Sequence, residues 1–189
     1  DDKLGRLLDV LEETGLDDNT IVVFTSDHGE MLGERGMWLK MTMFEWAVRV
    51  PLVVSFPKRF GARRVAQNVS LVDLLPTLID LASDDRSLEP PDRLDGHSML
   101  RLLESGADDA WPDLAIADFN AGGAPGPMRM VRQGRYKYVH LADHPALLFD
   151  LGSDPDELCN LAGQAAWHDI EERLRALALQ EYDPQDIRA

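Results

Sequence analysis

Residues 19–30 read NTIVVFTSDHGE, an apolar and β-branched run that stops at a serine, an acid and a histidine. A continuous apolar run of this kind is typical of a strand buried on both faces. It follows residues 4–11, where four leucines recur at helical spacing, and Gly15 stands where a left-handed helix cap is expected. A helix followed by a buried strand is the repeating unit of a parallel sheet, so we predict an α/β fold.

The rest of the chain predicts a second, smaller unit. A further apolar strand is VPLVVSF at 50–56, and a helix over 71–82 is expected to start near Asp73, which would cap it and place Pro76 in its first turn. A polar loop at 83–95 precedes a short helix in GHSMLRLLESG. Four strand candidates then alternate with turn signals, before a final amphipathic helix. They are LAIADF, MRMVRQ, RYKYVHL and ALLFDL, and the helix spans 167–182 with Ile170, Leu174, Leu177 and Leu179 as core contacts.

These segments predict two domains. Residues 1–110 would form part of an α/β domain with a mixed or parallel sheet, and residues 111–189 a small α+β subdomain with an antiparallel sheet. The chain opens inside a helical pattern without an initiating methionine, which indicates a fragment.

Composition excludes several classes of partner. The 189 residues carry a formal charge of −15, which disfavours a nucleic-acid partner. No run approaches the ~18 apolar residues of a membrane span, so no membrane association is expected. The single cysteine rules out an internal disulfide framework and favours a reducing compartment, and we expect a cytoplasmic protein.

Asp27 and His28 stand where the first predicted strand ends, at the strand edge where α/β proteins bind ligands. A carboxylate and an imidazole on adjacent residues can both reach one metal ion if the backbone is irregular, and Gly29 would supply that freedom. The alternative is a simple turn, in which Asp27 caps a helix that starts at Glu30 and His28 is only exposed. The residue pair alone does not separate the two.

Lys40 favours the site interpretation. It lies twelve residues after His28, beyond the loop GERG and Trp38, so a returning loop can aim its ammonium at an anion on the metal. A compact positive charge suits a tetrahedral oxyanion and can stabilise a leaving oxygen. The alternative is a solvated loop lysine, which is the commoner fate.

Several segments in order resemble the C-terminal part of the sulfatase family, and most closely choline sulfatases. They are TIVVFTSDHGEMLGERGMWLK (20–40), VSLVDLLPTLIDLA (69–82), LDGHSMLRLLESG (94–106), RQGRYKYVH (132–140) and LLFDLGSDPDELCNLAG (147–163). The resemblance implies a hydrolase of the alkaline-phosphatase-like superfamily, with a formylglycine nucleophile made from a CxPSR-type motif. By motif, Asp27 and His28 match two ligands of the metal, and Lys40 matches the lysine that binds the sulfate group.

The resemblance also implies the cofactor and the substrate. The metal is usually calcium, and manganese is the alternative because an imidazole is an unusual ligand for a hard cation. The expected partner is a small-molecule sulfate ester, with choline sulfate first, and the full-length enzyme is expected to be a homo-oligomer. A phosphonate monoester or phosphodiester hydrolase of the same superfamily and a non-catalytic binding module of this fold are the alternatives.

The sequence departs from the family at the nucleophile. No CxPSR motif occurs, Cys159 stands in ELCNLAG, and the acids at positions 1 and 2 precede a helix instead of following a strand. The formylglycine and the remaining metal ligands are therefore expected upstream of this chain, and the chain alone should not turn over a sulfate ester.

Two further interpretations concern the surroundings of this site. Glu45 and Arg49, four residues apart, predict a partly buried ion pair behind Lys40. The resemblance to choline sulfatases implies that Asp118 binds a quaternary ammonium, a role that a carboxylate and aromatic faces can perform together. The candidate aromatic faces are Trp38, Trp46 and Phe119, and the alternative for each is a place in the core.

Overall fold

The computed structural model describes residues 1–83, 93–120, 123, 126–180 and 182. The helices are α1 (Asp2–Glu13), α2 (Glu45–Val48), α3 (Leu74–Ala82), α4 (Leu100–Ser105) and α5 (His168–Leu179). The strands are β1 (Val22–Thr25), β2 (Met31–Leu32), β3 (Trp38–Leu39), β4 (Leu52–Ser55), β5 (Leu114–Phe119), β6 (Met128–Gln133), β7 (Tyr136–Leu141) and β8 (Leu147–Asp150).

Helix α1 confirms the predicted opening helix and its cap. Gly15 is left-handed at φ 66°, and its N–H donates to the Glu12 carbonyl at 3.0 Å while the N–H of Leu16 donates to that of Leu11 at 2.9 Å. This pattern satisfies the carbonyl groups at the end of the helix. The apolar stripe of α1 is open to solvent, since none of its residues is buried.

Strands β1 and β4 confirm the two predicted apolar strands. They pair with each other antiparallel, with Phe24 opposite Val53, a pairing that belongs to the mixed form of the predicted sheet and not to the purely parallel form. Burial on both faces was a wrong expectation, because Phe24 is 46% and Val53 56% exposed. Within the described part of the chain β4 is the single neighbour of β1, so the other edge of β1 is unpaired, and the face of the pair that carries Phe24 and Val53 is open to solvent.

The start of α3 differs from the predicted cap. A 3₁₀ turn, Leu71–Asp73, precedes the helix and is closed by a capping box with Ser70. The Asp73 carboxylate therefore turns back to accept the N–H groups of Ser70 at 2.7 Å and His97 at 2.8 Å. Pro76 lies in the first turn of α3, as predicted. Most of the predicted polar loop, residues 84–92, lies outside the described residues.

The C-terminal part confirms the predicted antiparallel sheet and closing helix. The strand order is β5-β6-β7-β8, and every neighbour is antiparallel. One face packs against α5 through a core cluster, and the opposite face carries a methionine-rich cluster. The first contains Val131, Tyr138, Leu148, Leu174 and Ala178, and the second contains Met43, Met128, Met130 and Val139.

Methionine 43 belongs to the segment that follows Lys40, so the second cluster joins the two predicted domains. Hydrogen bonds between Asn68 and Asp113, at 2.5 Å to 3.4 Å, also cross residue 110. The division at 110/111 itself stays a prediction. Among the described residues, no helix has the length and apolar character of a membrane span.

Candidate active site

The segment after β1 is held by backbone hydrogen bonds to α2. The N–H of Gly29 donates to the carbonyl of Ala47 at 2.8 Å, and the N–H of Glu30 donates to that of Trp46 at 2.9 Å. Strand β2 begins at the next residue, so the alternative of a helix starting at Glu30 and capped by Asp27 is wrong.

Glycine 29 is required for a different reason from the one predicted. It is not among the described residues with positive φ. A Cβ at this position would lie 3.0 Å from the Trp46 carbonyl carbon and would overlap the carbonyl oxygen. Close approach of two backbone segments, and not an unusual dihedral angle, therefore explains the glycine.

His28 is oriented by its own neighbour. Its Nδ1 lies 2.8 Å from the carbonyl oxygen of Gly29, which only accepts, so the ring proton is on Nδ1. Nε2 then carries a lone pair, and Asp27 Oδ2 lies 3.4 Å from it. A histidine held by a carbonyl in this way presents the other nitrogen to a metal or to a proton donor.

Asp27 is a preformed anion. Its Oδ1 accepts the N–H of His28 at 3.0 Å, and this hydrogen bond is the main cause that lowers the pKa of the Asp27 carboxyl below its ordinary value. The side chain is 83% exposed, so it is accessible to a cation from solvent.

A hairpin that the sequence pattern did not predict returns Lys40 to this pair. Strands β2 and β3 are antiparallel, with Met31 opposite Leu39. Leu39 adopts a left-handed φ of 71°, which is unusual for a residue with a branched side chain and redirects the chain at Lys40. Lys40 Nζ lies 2.5 Å from His28 Nε2, so the structure brings Asp27, His28 and Lys40 together.

The donor set fits part of a divalent metal site. Asp27 Oδ2 and His28 Nε2 lie 3.4 Å apart, a separation that two ligands of one ion can span. The described ranges contain no group of three or more His, Cys, Asp or Glu side chains placed to hold an ion. Calcium takes six to eight oxygen ligands, so a metal at this pair requires further ligands.

The cysteine does not fit the formylglycine that the resemblance implies. Cys159 is exposed, and its N–H donates to Asp154 Oδ2 at 2.8 Å within a turn. It stands outside any CxPSR motif, and we derive no chemical step through it.

Asp118 does not join the group formed by Asp27, His28 and Lys40. Its register partner on β6 is Arg129, whose Nε lies 3.4 Å from Asp118 Oδ1, and the Arg129 guanidinium lies 4.8 Å from the ring centre of Tyr182. Burial raises the pKa of the Asp118 carboxyl, and the charge of Arg129 opposes that shift. Gly123, which follows β5 in the chain, does approach the segment after Lys40, because a Cβ there would meet the Met41 side chain. A role for Asp118 in substrate binding stays a prediction.

Two of the three candidate aromatic faces are open. Trp38 is 67% and Trp46 58% exposed, so the alternative of core packing is wrong for both. Phe119 packs against the methionine-rich cluster. Trp38 lies two residues before Lys40, and the carbonyl of Trp46 holds the segment that carries His28.

A cluster of four charged side chains, which we call the buried charge cluster, was missed by the sequence interpretation. Glu45 contacts Arg132 Nη1 at 2.7 Å and Lys137 Nζ at 3.0 Å, and Lys137 also contacts Glu157 Oε1 at 2.7 Å. The predicted Glu45 to Arg49 pair is therefore replaced by two cations from the sheet. Helix α2 ends at Val48 and Arg49 is extended, so the helical geometry of an i,i+4 pair is absent there. The one available signal is a lysine in the centre of an apolar strand.

Comparisons with known proteins show which family this chain resembles. The Sulfatase family matches residues 1–84. An arylsulfatase K from Xenopus laevis is 34% identical over 94% of this chain and 34% of its own length. A choline-sulfatase from Rhizobium meliloti (strain 1021) is 40% identical over 86% of this chain and 31% of its own.

A solved structure shows the same fold. The phosphonate monoester hydrolase of Agrobacterium radiobacter superposes with a TM-score of 0.79 at 35% identity, over 95% of this chain and 39% of that one. The family match and the shared fold thus place this chain in the alkaline-phosphatase-like superfamily. The chain belongs to the sulfatase family. It spans about a third of the length of the curated relatives it matches.

Proposed function

We propose that this chain supplies the cation-binding and anion-binding part of the active site of a sulfuric ester hydrolase. The observation that carries the proposal is the 2.5 Å approach of Lys40 Nζ to His28 Nε2, with the Asp27 carboxylate 3.4 Å from the same nitrogen. An ionised acid, an imidazole lone pair and an ammonium at one point can bind a cation and a tetrahedral anion together.

Each side chain has its own task in this proposal. Asp27 is ionised and exposed, and it would hold a divalent cation together with the lone pair of His28. Lys40, whose ammonium now contacts His28 Nε2, would bind the sulfate oxygens. It then donates hydrogen bonds where negative charge develops in the transition state. A divalent cation, when bound, adds positive charge at those oxygens.

Choline sulfate is the substrate that we propose first. The choline-sulfatase relative is 40% identical, and the exposed faces of Trp38 and Trp46 flank the site segments. An aromatic face attracts a quaternary ammonium. Trp46→Ala should therefore raise KM for choline sulfate more than for 4-nitrophenyl sulfate, which carries no cation.

A phosphonate monoester hydrolase is the second candidate, supported by the structural likeness at 35% identity. A substrate panel separates the sulfatase from the phosphonate monoester hydrolase. The protein as its gene encodes it is assayed with choline sulfate, 4-nitrophenyl sulfate, a phenylphosphonate monoester and a phosphodiester. Higher kcat/KM for either phosphorus ester would refute our first choice.

A non-catalytic binding module is the third candidate, since the sequence contains no CxPSR motif. It predicts sulfate binding without turnover of any ester in that panel, with or without added Ca²⁺ or Mn²⁺. We further propose a cytoplasmic homo-oligomer without nucleic-acid or membrane partners, which light scattering and cell fractionation test directly.

A further inference from the structure

We infer that Glu157 is a positioning residue that fixes both halves of the proposed site relative to each other. The expected effect on catalysis rests on the proposed function. The positioning itself rests on hydrogen bonds among the described residues. Glu157 lies more than 110 positions from the residues it would position, and its side chain is 2% exposed.

The first connection runs from Glu157 to His28. Glu157 Oε2 accepts the N–H of Glu45 at 2.8 Å, at the first residue of α2. The carbonyl groups of the next two residues in α2 hold the N–H groups of Glu30 and Gly29. The carbonyl of Gly29 in turn accepts His28 Nδ1 at 2.8 Å. Hydrogen bonds linked by the backbone of residues 45–47 and of Gly29 thus join Glu157 to the imidazole.

The second connection runs from Glu157 to Lys40. Arg35, in the turn between β2 and β3, donates to the carbonyl of Asp156 at 2.7 Å and to the carbonyl of Glu157. Its guanidinium also lies 4.2 Å from the ring centre of Phe44. The hairpin that ends at Lys40 is therefore anchored on the same residue as the turn that supports His28.

Glu157 is itself held firmly. Lys137, the fully buried second residue of β7, contacts its Oε1 at 2.7 Å. The backbone of Glu157 adopts a left-handed φ of 55°, a conformation that residues with side chains rarely take unless their surroundings impose it. The sheet therefore serves as the rigid reference for a site that lies on loops, an arrangement that favours precise placement of reacting groups.

Two substitutions separate positioning from simple stability. Glu157→Leu removes the acceptor for the Glu45 N–H, and Glu157→Gln keeps an oxygen acceptor while it removes the charge. Asp150→Asn is the matched control, because it weakens another buried carboxylate of the same subdomain. Among the described residues, that carboxylate pairs with Arg135 and accepts hydrogen bonds from Gly152 and Ser153, all of which lie outside the segments that carry His28 and Lys40.

The measurements use the protein as its gene encodes it, with ¹⁵N-labelled histidine. The NMR signals of the His28 ring, assigned with His28→Gln, report its geometry without any reference to turnover, and kcat and KM are measured on 4-nitrophenyl sulfate. We expect Glu157→Leu to shift the His28 signals and lower kcat/KM by about 10²-fold, the cost of a site displaced by about 1 Å. Glu157→Gln should cause a smaller loss, and Asp150→Asn should leave the His28 signals unchanged.

The inference is overturned if Glu157→Leu folds and leaves the His28 signals and kcat/KM like those of the wild type, or if Asp150→Asn shifts them equally. If Glu157→Leu does not fold, Arg35→Met tests the second connection, since it keeps the packing on Phe44 and loses the donor. A raised KM supports the inference, and an unchanged KM refutes it. Absence of turnover by the wild type would refute the proposed function alone, because the NMR result still decides the positioning role.

Discussion

Substitution of Gly29 by alanine is the sharpest test of how the site is built. The added Cβ would lie 3.0 Å from the Trp46 carbonyl carbon, against an optimal carbon–carbon separation of about 3.5–4.0 Å, and would overlap the carbonyl oxygen. The two backbone segments must therefore separate. That movement also breaks the hydrogen bonds that Gly29 and Glu30 donate to α2, at 2.8 Å and 2.9 Å.

The expected cost combines these two effects. Overpacking costs about 1–3 kcal/mol, and each of the two lost backbone hydrogen bonds about 1 kcal/mol, so Gly29→Ala should lower the free energy of unfolding by about 3–5 kcal/mol. The displaced His28 should lower kcat/KM for a sulfate ester by about 10²-fold in the molecules that remain folded.

Urea unfolding followed by tryptophan fluorescence measures the first quantity, and initial rates with 4-nitrophenyl sulfate measure the second. Gly5→Ala is the control, because Gly5 lies within α1 with nothing within 4 Å of its added Cβ, and alanine there should stabilise the helix by about 0.5–1 kcal/mol. If Gly29→Ala unfolds within about 0.5 kcal/mol of the wild type, as an ordinary surface change does, the close approach is not the constraint we describe.

Three further predictions concern charge. Asp27→Asn and Lys40→Ala should each lower kcat by orders of magnitude without a large fall in Tm, since both act on exposed charge at the reacting group; near-normal turnover would show that the roles are wrong. Lys137→Met should destabilise the fold by about 3–5 kcal/mol in urea unfolding, because it leaves the buried Glu157 carboxylate without its cation while Glu45 keeps Arg132, and an unchanged midpoint would contradict this. The hydrogen bond from Arg135 lowers the pKa of Asp150, so its stabilisation is present above the ordinary value of about 3.9 and is lost as pH falls below it. The stability difference between the wild type and Asp150→Asn should therefore be found at pH 7 and vanish in strong acid, and a difference independent of pH would refute the assignment.

Most of the longer elements could be predicted from the sequence because hydrophobic periodicity is local. The leucine spacing of α1, the four alternating strands β5 to β8 and the closing helix were all visible in it. The hairpin of β2 and β3 was not, because strands of two residues are too short to show a period.

The site was predicted in part for a related reason. Asp27, His28 and Lys40 are near in sequence and follow a recognisable strand, so their convergence could be expected. The contacts of Glu45 could not, because its cations lie 87 and 92 positions away and the local helical rule favoured Arg49 instead. Pairing between distant segments depends on the tertiary fold, which a single sequence does not display.

The buried charge cluster has a consequence for how the protein responds to salt. Its two cations and two anions cancel, and the side chains of Lys137 and Glu157 are 0% and 2% exposed. Mobile ions therefore do not reach the pair of Lys137 and Glu157, whereas Lys40 is exposed to solvent, where the Debye length falls from about 8 Å at 0.15 M to about 3 Å at 1 M. Higher ionic strength should thus weaken the binding of an anionic ester while the melting temperature stays nearly constant. The salt dependence of folding and the salt dependence of catalysis are then separate properties of this protein.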